Sequence, residues 1–466
     1  MNTDTIAAIA TGLGGGISII RISGKDAFYV IDKIYQSKTK KKLLSKEKSH
    51  TIHYGMIMDG KDIIDEVMVT IMRAPSTYTR EDVIEINCHG GIVVTKRILE
   101  TVLEQGIRLA EPGEFTKRAF LNGRIDLSMA EAVCDIINAK NDISLKNSIH
   151  QLKGREYEII QAIRSAILRD IAFIEAALDD PEHISLDGFS EELREHLEDY
   201  RARIDKLITS AKSGKLIKEG IKTVILGKPN AGKSTLLNLL VQEERAIVTD
   251  IAGTTRDTLE ETIRLNEITL NLIDTAGIRS TEDIVERIGV EKAIRIAGEA
   301  DLIIYVIDSS TPFDENDETI LSLVKDKKAI LLLNKSDLPP VITVKDIKEK
   351  SEHPVINTSL TENTGNTGNT NNIGIEELEY LIKDMFFKGE IAFNEDIFIT
   401  NERHIEAFIQ AREALTMVNE SICNGMPEDF YSIDLMTAYE VLGRILGENV
   451  EEDLINMIFR EFCMGK

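Results

Sequence analysis

No apolar run in the 466 residues approaches the ~18 that a membrane span needs, so the chain carries no evident transmembrane helix. The opening stretch "MNTDTIAAIATG" has no basic region ahead of its apolar residues, which excludes a secretory signal. Four cysteines, Cys88, Cys134, Cys423 and Cys463, form neither a CxxC pair nor a zinc-ligand spacing, which points to reduced thiols in a cytoplasmic protein. Positive charge is also short. With 79 Asp and Glu against 55 Lys and Arg, the net charge is −24, which argues against a protein that coats nucleic acid. The acid is uneven, residues 375–466 holding 20 Asp and Glu against 7 Lys and Arg. One basic run, "SKTKKKLLSKEK" at 37–48, lacks the interleaved aromatics of a base-stacking surface and reads as a solvated loop.

A hydrophobic content of 42% is that of a globular protein, and the length calls for two or three domains. Residues 1–117 read as strand-rich, with β-branched runs such as "GISIIRIS" and "DEVMVTIMRAP" interrupted by one helix, "GIVVTKRILETVLEQG", that stops at Gly106. From 118 to 217 the apolar spacing is helical, broken near Pro181 and Gly188. From 218 to 376 continuous apolar strands ("KTVILG", "LNLIDTAG", "LIIYVID", "AILLLNKSD") alternate with helical patterns, as in a parallel sheet covered on both faces. The polar stretch "TENTGNTGNTNNIG" at 361–374 reads as a flexible loop insertion. Helices return over 377–466. There "NVEEDLINMIFREFC" reads as starting at Asn449 as N-cap, with Glu452 as its capping-box partner and Leu454, Ile458 and Phe462 along one face. Helical texture on both sides of an α/β segment predicts one helical domain with the α/β domain inserted, an α/β and α+β multidomain chain.

"GKPNAGKST" at 227–235 follows an apolar strand and precedes a helical run, the context in which GxxxxGKS cradles phosphate. Asn230, Ala231, Gly232, Lys233, Ser234 and Thr235 lie in it. Its amides and the Lys233 ammonium face the β/γ-phosphates, and the Ser234 hydroxyl can hold Mg²⁺. "DTAG" (Asp274, Thr275, Ala276, Gly277) closes a strand, where Asp274 can support Mg²⁺ through water and Gly277 can sense the γ-phosphate. "DIAGTTRD" between them, with Asp250, Ala252, Gly253, Thr254, Thr255 and Arg256, occupies the switch position, and Thr255 is the second Mg²⁺ hydroxyl. "NKSD" (Asn334, Lys335, Asp337) ends another strand, and the Asp337 carboxylate can take guanine N1–H and N2–H₂ together. Such a site rejects adenine by roughly 10⁴-fold in favourable cases. Four motifs in this order predict a GTPase. A Ras-type enzyme has a water-orienting glutamine after the DxxG glycine. Here that residue is Ile278, leaving Arg256, Arg279 and Glu286 as polar candidates and Asn230 as an oxygen donor for a cation.

These residues, with "DTIAAIAT", "RISG", "CHGG", "EFTKRAFLNGRIDLSMAEAV" and the C-terminal "CMGK", resemble the tRNA modification GTPase MnmE (TrmE) family over essentially the whole chain. The resemblance implies that residues 1–117 form a folate-binding, aminomethyltransferase-like and dimerising β-rich domain. It also implies a helical domain from 118–217 and 377–466, and a Ras-like GTPase domain at 218–376. It implies a homodimer that works with an MnmG-type FAD protein, a heterotetramer being expected, on the wobble uridine of certain tRNAs. The donor would be a 5-formyl- or 5,10-methylene-tetrahydrofolate, and hydrolysis would need K⁺ and pairing of the G domains. By the same resemblance, K⁺ ligands fall on Asn230, the Thr249 and Ile251 carbonyls and Thr254, and water positioning falls on Glu286. Folate contacts fall on Arg21, Glu81, Arg124 and Lys466. Thr358, Ser359 and Leu360 stand where the family has its guanine-ring loop. Two other readings fit parts of the pattern: a ribosome-assembly or regulatory GTPase, and a folate-dependent transfer enzyme acting on another substrate. "CMGK" is no prenylation box, since Gly465 is not aliphatic and Lys466 is a poor final residue. It is either an incidental tip or a working one in which Cys463 is a nucleophile.

Overall fold

The computed structural model describes residues 4–38, 42–242, 261–265, 268–273, 297–360, 374–387, 397–460, 462 and 465. The chain divides into two compact units, one of residues 1–137, 149–200 and 409–466, the other of 138–148 and 201–408. No helix among the described residues is long and apolar enough to cross a membrane.

The first unit is built on a seven-stranded sheet. Its strands are β1 (Ile6–Ile9), β2 (Ile17–Ser23), β3 (Tyr35–Ser37), β4 (Thr51–Asp59), β5 (Asp62–Met72), β6 (Val83–His89) and β7 (Arg108–Leu109), in the order β3-β4-β5-β6-β2-β1-β7. Its pairings are antiparallel except β1 with β7. Period-two alternation decides which face is buried. Val67, Val69 and Ile71 of β5 point into the core with Ile84 and Ile86 of β6 and Ile20 and Ile22 of β2, while Met68 faces out. Two helices cover that face. Ile92–Leu103 is the helix expected before Gly106, whose φ of 90° marks the turn out of it. The other, Ala27–Ile34, lies in a stretch read only as strand-rich. Asp26 gives it no side-chain cap, so the usual start signal is missing, and burial of Phe28, Val30, Ile31 and Ile34 stabilises it instead.

The helices of this unit include Arg155–Asp179, Asp429–Ile445 and Glu452–Arg460. Arg164, 2% exposed, is held by the Glu448 carboxylate through Nη1 (2.7 Å) and Nη2 (2.6 Å), by the Tyr439 carbonyl (3.1 Å), and over the Tyr439 ring at 4.1 Å. A Cβ on Gly443 would lie 2.8 Å from Arg164 Nη2, so glycine lets the guanidinium into the helix contact. The last helix departs from its expected start. Asn449 sits at φ 52° outside the helix, and the Leu454 and Ile455 amides bond the Glu451 carbonyl, so Glu451 precedes the first turn. The packed face is Ile455, Ile458, Phe459 and Phe462, with Phe459 replacing the expected Leu454. Leu127, Ala130 and Phe120 draw the face round by one position.

The second unit holds a six-stranded sheet: β8 (Ile221–Gly227), β9 (Glu261–Leu265), β10 (Ile268–Leu272), β11 (Leu302–Asp308), β12 (Ala329–Asn334) and β13 (Val355–Asn357), in the order β13-β12-β11-β8-β10-β9. All pairs are parallel except β9 with β10. Every residue of β12, and of β11 up to Ile307, is buried, because one hydrophobic core lies on each side of the sheet. That two-sided burial is why these strands read as unbroken apolar runs.

The Arg164–Glu448 contact gives a test. The Arg164 guanidinium holds the Glu448 carboxyl below its usual range. A carboxylate depressed on folding stabilises the fold fully above its unfolded pKa, about 4.3, and loses that contribution as pH falls through the lower folded value. Glu448→Gln should therefore lower the melting temperature by a few degrees at pH 7 and by progressively less below about pH 4. A deficit that stays constant down to pH 3 would remove the ion pair as its cause.

Candidate functional site

β8 ends at Gly227, and residues 228–232 turn back before the helix Lys233–Gln242. Three residues there take left-handed backbone: Gly227 (φ 154°), Asn230 (φ 62°) and Gly232 (φ 109°). A Cβ on Gly232 would fall 2.2 Å from Asn334 Nδ2, so only glycine fits. The Lys233 ammonium donates to the carbonyls of Gly227 (2.8 Å) and Lys228 (2.7 Å), and burial pushes its pKa down. Ser234 and Asn230 are exposed and Thr235 is half-buried. A helix N-terminus behind a loop that curls its amides inward is a phosphate cradle.

The base-recognition motif lies at the carboxyl end of β12, two strands from β8. Asn334, 1% exposed, donates through Nδ2 to the Ala231 carbonyl (2.9 Å) and accepts from the Leu360 amide (3.2 Å) and the Thr358 hydroxyl (3.3 Å). One side chain thus joins the phosphate loop to the loop after β13. Lys335, at φ 61°, donates to Asp308 Oδ2 at 2.6 Å at the end of β11. Burial raises the pKa of Asp308, but hydrogen bonds from Lys335 and Ser310 outweigh it, and the carboxyl is held below its usual range. Asp337 is exposed and accepts from the buried Ser359 hydroxyl at 2.8 Å, which fixes one carboxylate oxygen and leaves the other to solvent. The structure thus brings together Asn230, Ala231, Gly232, Lys233, Ser234, Thr235, Asn334, Lys335, Asp337, Thr358, Ser359 and Leu360. Thr249, Asp250, Ile251, Ala252, Gly253, Thr254, Thr255, Arg256, Asp274, Thr275, Ala276, Gly277, Arg279 and Glu286 lie outside the described residues.

Sequence reasoning passed over a second support of this loop. Lys228 Nζ pairs with Asp314 Oδ2 (2.8 Å) and with Asp317, which is 2% exposed and also accepts from the Tyr305 hydroxyl. Asp314 caps the helix Glu315–Val324, and Asp317 closes its capping box, so a helix start holds the loop's first residue. The run "DENDE" carries the capping signature, but nothing local links it to Lys228.

The first unit contains the other constellation. Arg21 on β2 donates from Nε to Glu85 (2.8 Å) and from Nη1 to the Gly465 carbonyl (3.0 Å), with its guanidinium 5.5 Å from the Phe115 ring centre. Glu81 accepts from Ser23 (2.6 Å) and from the buried Arg118 (3.1 and 3.2 Å), which also binds Asp4 and Glu114. Arg124 is exposed and lies over Tyr78 at 4.6 Å. Gly465 is buried, and a Cβ there would meet the Ile9 carbonyl at 2.4 Å. Cys463 and Lys466 lie outside the described residues.

A family model described as the MnmE helical domain matches residues 127–463, and one described as the GTP-binding protein TrmE N-terminus matches residues 5–124. The chain is 61% identical over 467 aligned residues, covering 100% of both, to the tRNA modification GTPase MnmE of Lachnoclostridium phytofermentans. It is 48% identical to the protein of that name from Geobacillus kaustophilus, covering 99% of each chain. With that of Bacillus cytotoxicus it shares 47% over 100% of each. Among solved structures, the G domain of the T. maritima FeoB iron transporter matches 35% of this chain and 97% of its own at 28% identity, with a TM-score of 0.26.

The packing at Gly232 sets an expectation for nucleotide binding. Gly232→Ala places a methyl carbon against Asn334 and demands a backbone angle that alanine avoids, so the loop must open. Guanine-nucleotide affinity, read by fluorescence titration, should fall at least about a hundredfold, and the melting temperature of the apoprotein should fall by a few degrees as the Asn334 contacts are strained. Wild-type affinity in that variant would show that the loop tolerates the shift.

Proposed function

The chain belongs to the tRNA modification GTPase MnmE family, and from that premise we propose that it hydrolyses GTP while an aminomethyl-type group is installed at C5 of the wobble uridine of certain tRNAs. The observation that carries the GTPase half is the Asn334 carboxamide, which joins the phosphate loop to the loop after β13, whose Ser359 in turn bonds Asp337. The tRNA half rests on the full-length likeness to the named relatives. In this reading the chain is a cytoplasmic homodimer that works with an MnmG-type FAD protein. A regulatory GTPase with no further chemistry is the alternative, and the match of residues 5–124 to the TrmE N-terminus weighs against it.

Ser234 and Thr255 would hold Mg²⁺. Asn230, exposed on the phosphate loop with a hard amide oxygen, suits an alkali cation, and the Thr249 and Ile251 carbonyls and Thr254 would complete that site. When bound, K⁺ supplies positive charge at the β/γ bridge, the role an arginine finger has elsewhere. Glu286, itself an anion, would position the attacking water through a second water, since Ile278 cannot. Arg256 and Arg279 are the cationic candidates that the sequence offers with it. In the first unit, Arg21, Arg124 and Lys466 are cations suited to a folate's glutamate carboxylates, and Glu81, bonded to Arg118, is an acceptor suited to an amino-pyrimidinone edge. A bound 5-formyl- or 5,10-methylene-tetrahydrofolate supplies the one-carbon unit. Cys463 is proposed as the nucleophile. Its thiolate adds to C6 of uracil and makes C5 nucleophilic, and it leaves when the C5 proton is lost after substitution.

The decisive experiment is analysis of wobble-uridine modification after deletion of the gene. Modification should vanish, return with the wild-type chain, and stay absent with Lys233→Ala. Unchanged tRNA in the deletion strain overturns the reading. Hydrolysis should be faster in KCl than in NaCl at equal ionic strength, and equal rates would remove K⁺ from the site. Glu286→Ala should lower kcat at least about tenfold with GTP affinity nearly unchanged. A matching loss of affinity would make Glu286 a binding or folding residue. Cys463→Ser should keep GTPase activity and lose tRNA modification, and normal modification would end the covalent role.

A further inference from the structure

A chain with a net charge of −24 that acts on tRNA needs a place to meet phosphate, and the basic run at 37–48 is better built for this than its sequence suggests. A solvated run would be held only at its ends. Here Leu44 is fully buried, and the Leu44 and Ser45 amides donate to Asp32 Oδ1 at 2.6 and 3.2 Å. The Arg73 guanidinium lies 4.1 Å over Phe28 and donates to the carbonyls of Ser45 (2.6 Å) and Glu47 (3.1 Å). The Arg73 amide bonds the Ser49 hydroxyl at 2.9 Å. Residues 44–49 are thereby fixed beside the helix Ala27–Ile34, with Lys46 and Lys48 turned outward.

Within the run, Lys38 pairs with Glu66 and Lys42 with Glu47, but the nearby carboxylates make their contacts elsewhere than at Lys25, Lys33, Lys46 and Lys48. Asp26 takes the Thr5 hydroxyl, Asp32 takes the two loop amides, and Glu47 pairs with Lys42 at 3.4 Å. Lys25, Lys33, Lys46 and Lys48 are exposed, with no carboxylate within ion-pair distance among the described residues. Tyr29, 59% exposed, lies under the Lys33 ammonium at 4.1 Å and offers a ring face beside the cations. Like charges held on a fixed backbone repel, and a polyanion relieves that repulsion. The cations come from a helix and a separate loop instead of one amphipathic helix, which suits a phosphate backbone better than a bilayer.

We propose that Lys25, Tyr29, Lys33, Lys46 and Lys48 form a tRNA-contact face, the lysines meeting phosphates and Tyr29 a base or ribose. The proposal rests on the reading that the chain acts on tRNA. The test is tRNA binding by the full-length chain, followed by fluorescence anisotropy across a KCl series, for the wild type and for Lys46→Gln/Lys48→Gln. Loss of two phosphate contacts should reduce the slope of log affinity against log salt by about 1.5. Lys345→Gln/Lys348→Gln, which removes the same charge from exposed positions in the other unit, should leave the slope unchanged. GTP hydrolysis by the first variant should remain at the wild-type rate, showing that it folds. An unchanged slope in the first variant, or an equal fall in the second, overturns the proposal. So does loss of wild-type binding to phosphatidylserine vesicles in the first variant with the tRNA slope unmoved. Absence of wild-type tRNA binding at every salt concentration overturns the tRNA reading itself, and this face with it.

Discussion

The Asn334 carboxamide is the contact on which the nucleotide site depends. It is buried, its nitrogen is bonded to the phosphate loop, and its oxygen takes donors from the loop that follows β13. Gly232 must be glycine because this amide lies where its Cβ would go. Removing Asn334 would leave the carbonyl of the buried Ala231 without this partner, at a cost of roughly 1–3 kcal/mol, and would free the Leu360 amide. Its larger effect is geometric. A fixed distance between base recognition and phosphate contact lets affinity gained at one end appear as position at the other.

Around that contact, lysines in the motifs act as tethers. Lys228 binds the start of the helix Glu315–Val324 through Asp314 and Asp317, and Lys335 binds Asp308 at the end of β11. Both anchors lie at strand ends or just beyond, where a parallel sheet delivers its loops to one edge. Burial opposes the Lys228 charge, yet its pKa is raised, because the two carboxylates more than offset that cost. The loop is thus held by charges that face away from the cradle, and Lys233 alone of the three lysines is turned onto the loop's own carbonyls.

Where the sequence was legible, a local rule and the tertiary environment agreed. β8, β11 and β12 read as apolar because both faces of the sheet are covered, and the phosphate and base motifs follow their ends. The helix Ala27–Ile34 was hidden because it is short and its start has no side-chain cap. Asn449 looked like a cap by residue type, yet its left-handed backbone puts it before the turn. Partners far apart in the chain left no trace: Arg118 meets Glu81 across 37 positions, and Arg164 meets Glu448 across 284. Lys228 with Asp317 belongs to the same class, two recognisable local signals whose pairing is decided only by the fold.

The N-terminal sheet and the C-terminal tail meet at Arg21, which constrains how any anion could bind there. Of the five N–H donors of a guanidinium, one on Nε is directed at Glu85 and one on Nη1 at the Gly465 carbonyl, while Nη2 lies within ion-pair distance of the same Glu85 oxygen. The remaining donors can take an anion only in the geometry those contacts impose. Glu81 is constrained likewise, because Arg118 fixes its carboxylate while bonding Asp4 and Glu114. Neither residue is a free surface charge, so a ligand bound to both would be read by a prearranged pair and lose little rotamer entropy on binding. Since one of the Arg21 contacts is the backbone next to Lys466, any shift of that guanidinium is also a shift of the C-terminal motif's anchor.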